Sequence, residues 1–153
     1  RTGCFMWLFD PITPPGGRVL LAQLIRKTGE SAAAEVWGII ETRIFPTFGR
    51  SPVVAIVEEA TIWSGGKGQR RARGALDNRA QTHAIVGYLT AKGVEVIRQS
   101  SSKGGTPKQI VHMRVLRDFP PFTIDSPARG RADVLDAGGL VRDYLKDRIV
   151  SMA

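Results

Sequence analysis

Pro52-Val53-Val54-Ala55-Ile56-Val57-Glu58-Glu59 is a continuous, β-branched apolar run that stops on acid. A run of this kind suits a strand covered on both faces. Ending a buried strand in a carboxylate is costly unless a positive charge compensates, and a divalent cation is the usual compensation. Two more carboxylates lie far downstream. Asp133 and Asp136 stand three apart at the start of a helical stretch, so both project from one face. The competing reading of that pair is helix capping, because the helix dipole favours acids in a first turn. Glu59 alternates to the opposite side of the strand and reads as a solvated surface acid.

Working outward, 153 residues suit one compact α/β domain spanning 1–153. The charge balance carries more information. Lys and Arg number 22 against 14 Asp and Glu, a net charge of +8, which favours a phosphate-rich partner through counterion release. One cysteine, Cys4, excludes an internal disulfide framework and a cysteine-rich zinc site, and two histidines exclude a histidine-rich one. No stretch reaches the ~18 consecutive apolar residues of a membrane span. No signal peptide is evident, so the expected compartment is the cytoplasm. Arg1 in place of a starting Met predicts that an N-terminal piece has been lost.

Cys4–Phe9 and Arg18–Ile25 are apolar runs around Asp10-Pro11 and Pro14-Pro15-Gly16-Gly17, the pattern of a β-hairpin. Val36, Ile39, Ile40 and Phe45 recur at helical intervals from Ala32 to Phe45, with Pro46 as the stop. After the Pro52–Val57 strand, the polar, basic stretch Ser64–Arg79 reads as a flexible loop. A helix follows from about Asn78 to Ala91, then a strand at Val94–Ile97. Pro107–Leu116 and Ala132–Val150 complete the order as helices, separated by a loop at Pro120-Pro121. The class is mixed α/β. Gly65-Gly66-Lys67-Gly68 lacks the spacing and the Ser/Thr of a P-loop.

This order of elements resembles the RuvC family of Holliday junction resolvases over nearly the whole chain. Pro52–Glu59 is similar to that family's Pro-led strand ending Ile-Glu-Gln. Gln109-Ile110-Val111-His112-Met113 is similar to its Gln-Val-x-His-Met helix, and Asp133-Val134-Leu135-Asp136-Ala137 to its Asp-Ala-Ala-Asp-Ala. The resemblance implies a ribonuclease H-like fold, a five-stranded mixed sheet flanked by helices. It also implies that Glu58, Asp133 and Asp136 are catalytic and hold metal. Thr2-Gly3 matches a Thr-Gly that follows the family's first strand. The first strand and its metal-binding Asp are therefore expected upstream of Arg1, and Asp10 is read as a hairpin-turn residue.

Hard carboxylate oxygens suit Mg²⁺ or Mn²⁺, and two such ions can activate water and stabilise a leaving oxygen in phosphodiester cleavage. Two basic stretches are candidate DNA contacts: Lys67, Arg70, Arg71, Arg73 and Arg79 in one, Lys103 and Lys108 in the other. Trp63 reads either as a base-stacking residue or as buried, and Arg131 either as an anion-stabilising group or as the partner of an acid. His83 reads as a partly buried, hydrogen-bonded residue. The helix around Gly87 is a candidate homodimer surface, since a twofold dimer suits a four-way junction. The expected function is metal-dependent, structure-specific cleavage of branched DNA. The alternatives are a nucleic-acid-binding module that has lost catalysis, and a ribonuclease or other nuclease of the same fold.

Overall fold

The computed structural model describes all residues except 11, 13–15, 60–68, 101–105 and 153, with backbone alone for 69–75 and 148–152. The chain is mixed α/β and divides into two compact units. One comprises Arg1–Arg26 with Ser101–Ala153, the other Lys27–Ser100.

The first unit is built on a hairpin. Strand β1 (Thr2–Phe9) pairs antiparallel with β2 (Gly17–Ile25), and the register shifts between Met6 and Trp7, leaving Leu20 as the extra residue of a bulge. Asp10 is a turn residue, as expected. Its Oδ1 accepts a hydrogen bond from the Ile12 N–H at 2.9 Å, and its own N–H donates to the Gly16 carbonyl at 2.8 Å. An extended segment reaches β2 at Asp125, whose N–H donates to Ala22 O and whose carbonyl accepts from Leu24 N–H. Helices α4 (Lys108–Asp118) and α5 (Arg131–Met152) complete the unit, with α5 packed along β1 and α4 packed on α5. Phe5, Ala22, Val115, Phe119, Val134 and Leu135 form its core. The Phe5 ring sits 4.8 Å from Phe119 and 5.3 Å, edge-on, from Phe122. Burial pushes the Cys4 thiol up to about 12, so it stays protonated and inert.

Consecutive glycines bring α4 onto α5. A Cβ added at Gly139 would lie 2.6 Å from Val111 Cγ1, and one at Gly138 would lie 2.9 Å from Val115 Cγ1. Gly139→Ala is therefore expected to destabilise the protein by about 1–3 kcal/mol through overpacking, despite the better helix propensity of alanine. At Gly87, where a Cβ meets nothing within 4 Å, alanine is expected to add about 0.5–1 kcal/mol instead. Urea denaturation of the two variants checks the opposite signs.

The second unit pairs β3 (Val54–Glu58) with β4 (Glu95–Gln99) in parallel, Glu58 opposite Gln99. Helices α1 (Gly29–Ile39) and α3 (Gln69–Ala91) pack together, and a core of Ala33, Leu89 and Val94 takes in Trp37, Val53, Ala55, Ile85, Tyr88 and Val96. Among the described residues the sheets are two separate pairs, where a single five-stranded sheet was expected.

Three local expectations change. Pro46 does not stop the first helix. A π-helical stretch (Ile40–Ile44) and a short α2 (Phe45–Phe48) carry the helical path to Phe48, with the Phe45 N–H donating to Ile40 O at π spacing. Proline cannot donate to the carbonyl four residues back and its ring clashes there, so the wider turn accommodates it. Next, α3 begins at Gln69, so the expected basic loop is helical from that residue onward. Gln, Arg, Ala and Leu are good helix formers, and Gly74 costs only about 1 kcal/mol against alanine. Finally, β3 is not covered on both faces: Val54 is 36% exposed and Glu58 is exposed. Val53 and Ala55 pack into the core on one side, and alternation places Val54, Ile56 and Glu58 on the other.

Candidate functional site

Helix α5 starts from a 3₁₀ turn at Ala128–Gly130 and presents Asp133 in its first turn. Val134 and Leu135, buried in the core, lock the rotation of this helix, leaving Asp133 and Asp136 partly buried. Gly3 allows β1 to approach closely: a Cβ there would overlap the Asp133 carbonyl and lie 2.8 Å from Val134 N. The start of β1 is thereby pressed against the turn that carries the acids.

Each acid holds a cationic partner. Arg1 Nε donates to Asp133 Oδ2 at 2.7 Å. Lys108 Nζ reaches Asp136 Oδ2 at 3.4 Å, and His112 Nε2 meets Asp136 Oδ1 at 2.7 Å. Lys108 and His112 are one helical turn apart on α4, so their shared face was readable from spacing. That this face meets Asp136 was not, because only the packing of α4 on α5 decides it. Arg1 and Lys108 have side chains 53% and 79% exposed, and long exposed cations of this kind are displaced at little cost.

Glu58 belongs to the other unit. It ends β3 at the carboxyl end of a parallel strand pair, the end at which open α/β sheets bind ligands. Its backbone carbonyl accepts from Thr82 Oγ1 at 3.4 Å, and the Glu59 N–H extends the ladder to Gln99 O. Glu58, Asp133 and Asp136 offer only hard oxygens, the donor type that fits Mg²⁺ or Mn²⁺. Among the described residues no group of three or more His, Cys, Asp or Glu side chains is gathered to hold a metal ion.

No family model, curated protein or solved structure matches this chain.

The basic candidates distribute as follows. Arg70, Arg71 and Arg73 fall in the first two turns of α3, and Arg79 lies further along it, exposed. Lys67, Lys103 and Trp63 lie outside the described residues. Lys108 opens α4. Arg131 is exposed and has no ion-pair partner among the described residues. His83 is exposed rather than partly buried, and its Nδ1 accepts from Arg98 Nη2 at 3.1 Å. No described helix is long and apolar enough to cross a membrane.

An ion-pair network outside these acids ties the two helices of the first unit together. Arg142 Nε donates to Asp118 Oδ2 at 2.6 Å and Arg117 Nε to Asp118 Oδ1 at 2.7 Å. The Arg117 hydrogen bond, helped by Arg142, holds the Asp118 carboxyl down at about 2. A lowered carboxyl stabilises the fold above the unfolded carboxylate range, near ~3.9, and that contribution is lost as pH falls toward about 2. Acid titrations followed by circular dichroism should show a smaller loss between those limits for Asp118→Asn than for the parent. Added salt should shrink the difference, since the group is partly exposed.

Proposed function

We propose that this protein is a metal-dependent, structure-specific endonuclease that cleaves phosphodiester bonds in branched DNA, the four-way junction above all. The observation that carries the reading is the pair of carboxylates on the first turns of α5. In a chain of net charge +8, Asp133 and the more buried Asp136 share the start of α5, and the exposed cations Arg1 and Lys108 are among their partners. Divalent cations would replace Arg1 and Lys108 there. The hairpin, α1, β3, α3, β4, α4 and α5 follow one another in the order expected of a ribonuclease H-like domain.

In this reading Asp133 and Asp136 would offer oxygen ligands to Mg²⁺ or Mn²⁺, and Glu58, at the end of β3 in the other unit, is the further acid expected to take part. The ions would contribute charge stabilisation and water activation to an in-line displacement. The protein's own residues hold the polyanion. Arg70, Arg71, Arg73 and Arg79 on α3, with Lys67, Lys103 and Lys108, neutralise phosphates without reading sequence. Junction selectivity would then rest on the shape of the DNA and on a twofold homodimer that presents two equivalent sites.

The test is cleavage by the full-length protein in Mg²⁺ of a four-way junction, a linear duplex and an RNA–DNA hybrid of matched sequence. Preferential junction cleavage supports the reading. Hybrid cleavage makes the protein a ribonuclease, and tight junction binding without cleavage makes it a binding module. Replacing Arg70, Arg71 and Arg73 together with alanine is expected to weaken junction affinity. It should also reduce the salt slope by up to about 0.9 for each phosphate that is no longer neutralised. An unchanged slope, read by anisotropy across salt concentrations, would clear those arginines of any phosphate role.

A further inference from the structure

The side of α4 that points away from α5 is apolar and uncovered. Val111 and Val115 pack against Gly139 and Gly138 of α5, so the helical repeat turns Met113 to the opposite side. Met113 is 67% exposed, with Ile110 at 39% and Leu116 at 48%. Side chains three apart are neighbours on a helix surface, so these form one patch. On α3, where the Gly87 region reads as a dimer surface, Leu76 alone among the described residues is a large exposed apolar side chain. Charge narrows what the patch can meet. Arg117 lies between Met113 and Ile110 around the helix, and Asp118 already neutralises it at 2.7 Å. Lys108 reaches round to Asp136 on α5, and Arg114 stands to one side. With no unpaired cation at its centre, the patch offers little to a phosphate backbone, a lipid headgroup or an acidic peptide.

The pattern is also symmetric. Ile110 and Leu116 stand three residues either side of Met113, and Gln109 and Arg117 four either side. A twofold interface presents the same patch from both copies, so it requires self-complementarity of this kind. Laid antiparallel, a second α4 brings Met113 against the partner's Met113 and Ile110 against the partner's Leu116. Gln109, an uncharged neighbour, comes to the partner's Arg117. We propose that two copies of this chain associate through α4, antiparallel about Met113. This rests on the twofold homodimer of the reading above and assigns the surface which that reading leaves open. Unbranched methionine at the centre adapts to its own copy across the axis. Three side chains per copy fall well short of the ~800 Å² per partner of standard interfaces. The dimer is therefore weak and concentration-dependent, and a substrate that holds two copies together strengthens it.

Oxidative cross-linking and sedimentation velocity test the interface. The native chain is its own control, because its one thiol, Cys4, is buried. Met113→Cys, oxidised by copper–phenanthroline, is expected to form a disulfide-linked dimer about tenfold or more faster than Leu76→Cys on α3, since a twofold axis at this position brings the two thiols within bonding reach. Ile110→Cys and Leu116→Cys are expected to cross-link to each other in a mixture faster than either does alone. All these positions are exposed, so the variants should melt with the parent. Met113→Glu, which needs no thiol, is expected to weaken self-association by about tenfold or more, because it places a charge at the centre of the contact. A parent that stays monomeric at millimolar concentration overturns the inference, as does unchanged association of Met113→Glu. Faster cross-linking at Leu76→Cys overturns it and moves the interface to α3, and preferential linking of Ile110→Cys to itself excludes the antiparallel pairing. A chain that dimerises through α4 yet cuts no DNA retains the interface and removes the nuclease reading. Junction cleavage by a strictly monomeric protein does the reverse.

Discussion

Glu58→Gln is expected to lower the rate of junction cleavage by on the order of 10³-fold, equivalent to about 4 kcal/mol of transition-state stabilisation, while leaving junction affinity unchanged or slightly tighter. The substitution removes one negative charge and, on the proposed reading, one hard ligand, with almost no change of volume. Metal-derived charge stabilisation is worth several kcal/mol, which sets the size of the effect. Glu58 is exposed at the end of β3, and its backbone carbonyl is engaged by Thr82. The folded state should therefore tolerate glutamine, and a melting temperature equal to the parent's is part of the expected result. Single-turnover cleavage measured with protein in excess separates chemistry from binding. Cleavage within threefold of the parent would remove Glu58 from the proposed catalytic residues.

Gly3→Val is expected to abolish cooperative folding of the unit formed by the two ends of the chain, and Gly3→Ala to cost about 3 kcal/mol or more, the upper end of overpacking effects. The atoms a side chain would meet are backbone, the Asp133 carbonyl and Val134 N, so no rotamer change relieves the overlap. The helix cannot retreat easily either, because Val134 is fully buried in the core with Val115 and Phe5. Against a total stability of about 5–15 kcal/mol for an ordinary domain, this loss is decisive. Near-ultraviolet circular dichroism and urea midpoints check it. A Gly3→Ala variant with the parent's midpoint would show that β1 and α5 are not in close contact.

Much of the local structure is legible along the chain, for identifiable reasons. The hairpin is readable because two apolar runs flank a segment dense in Pro, Gly and Asp, and these residues dictate turn geometry wherever they stand. The strands at β3 and β4 and the helices α4 and α5 are readable from β-branched runs and helical spacing. The start of α3 is not, because its basic residues look like a solvated loop, although arginine, alanine and glutamine extend a helix well. The passage through Pro46 is hidden too, because a π-helical turn leaves no periodic signature and absorbs the missing N–H.

The acids themselves are legible as candidates: Asp-x-x-Asp in a first turn and a glutamate closing an apolar run are patterns in residue type and spacing. Their partners are not. Arg1 meets Asp133 and Lys108 and His112 meet Asp136 across separations of more than twenty residues, which no local periodicity encodes. The exposure of Glu58 also escapes the apolar composition of its strand. Composition reports which residues can be buried, whereas packing decides which are: the face of β3 carrying Val53 and Ala55 joins a core, and Val54 and Glu58 are exposed.

By itself, then, the chain determined its class, its turns, most of its helices and strands, and its surplus of positive charge. These depend on short-range sterics and on the summed ionisation of side chains. Only the tertiary structure decided which cation faces which carboxylate, where glycine admits a neighbouring backbone, and that two separate hydrophobic cores form. Those outcomes depend on close packing between segments distant in sequence, and interaction energies that fall off within a few ångströms are set by that packing alone.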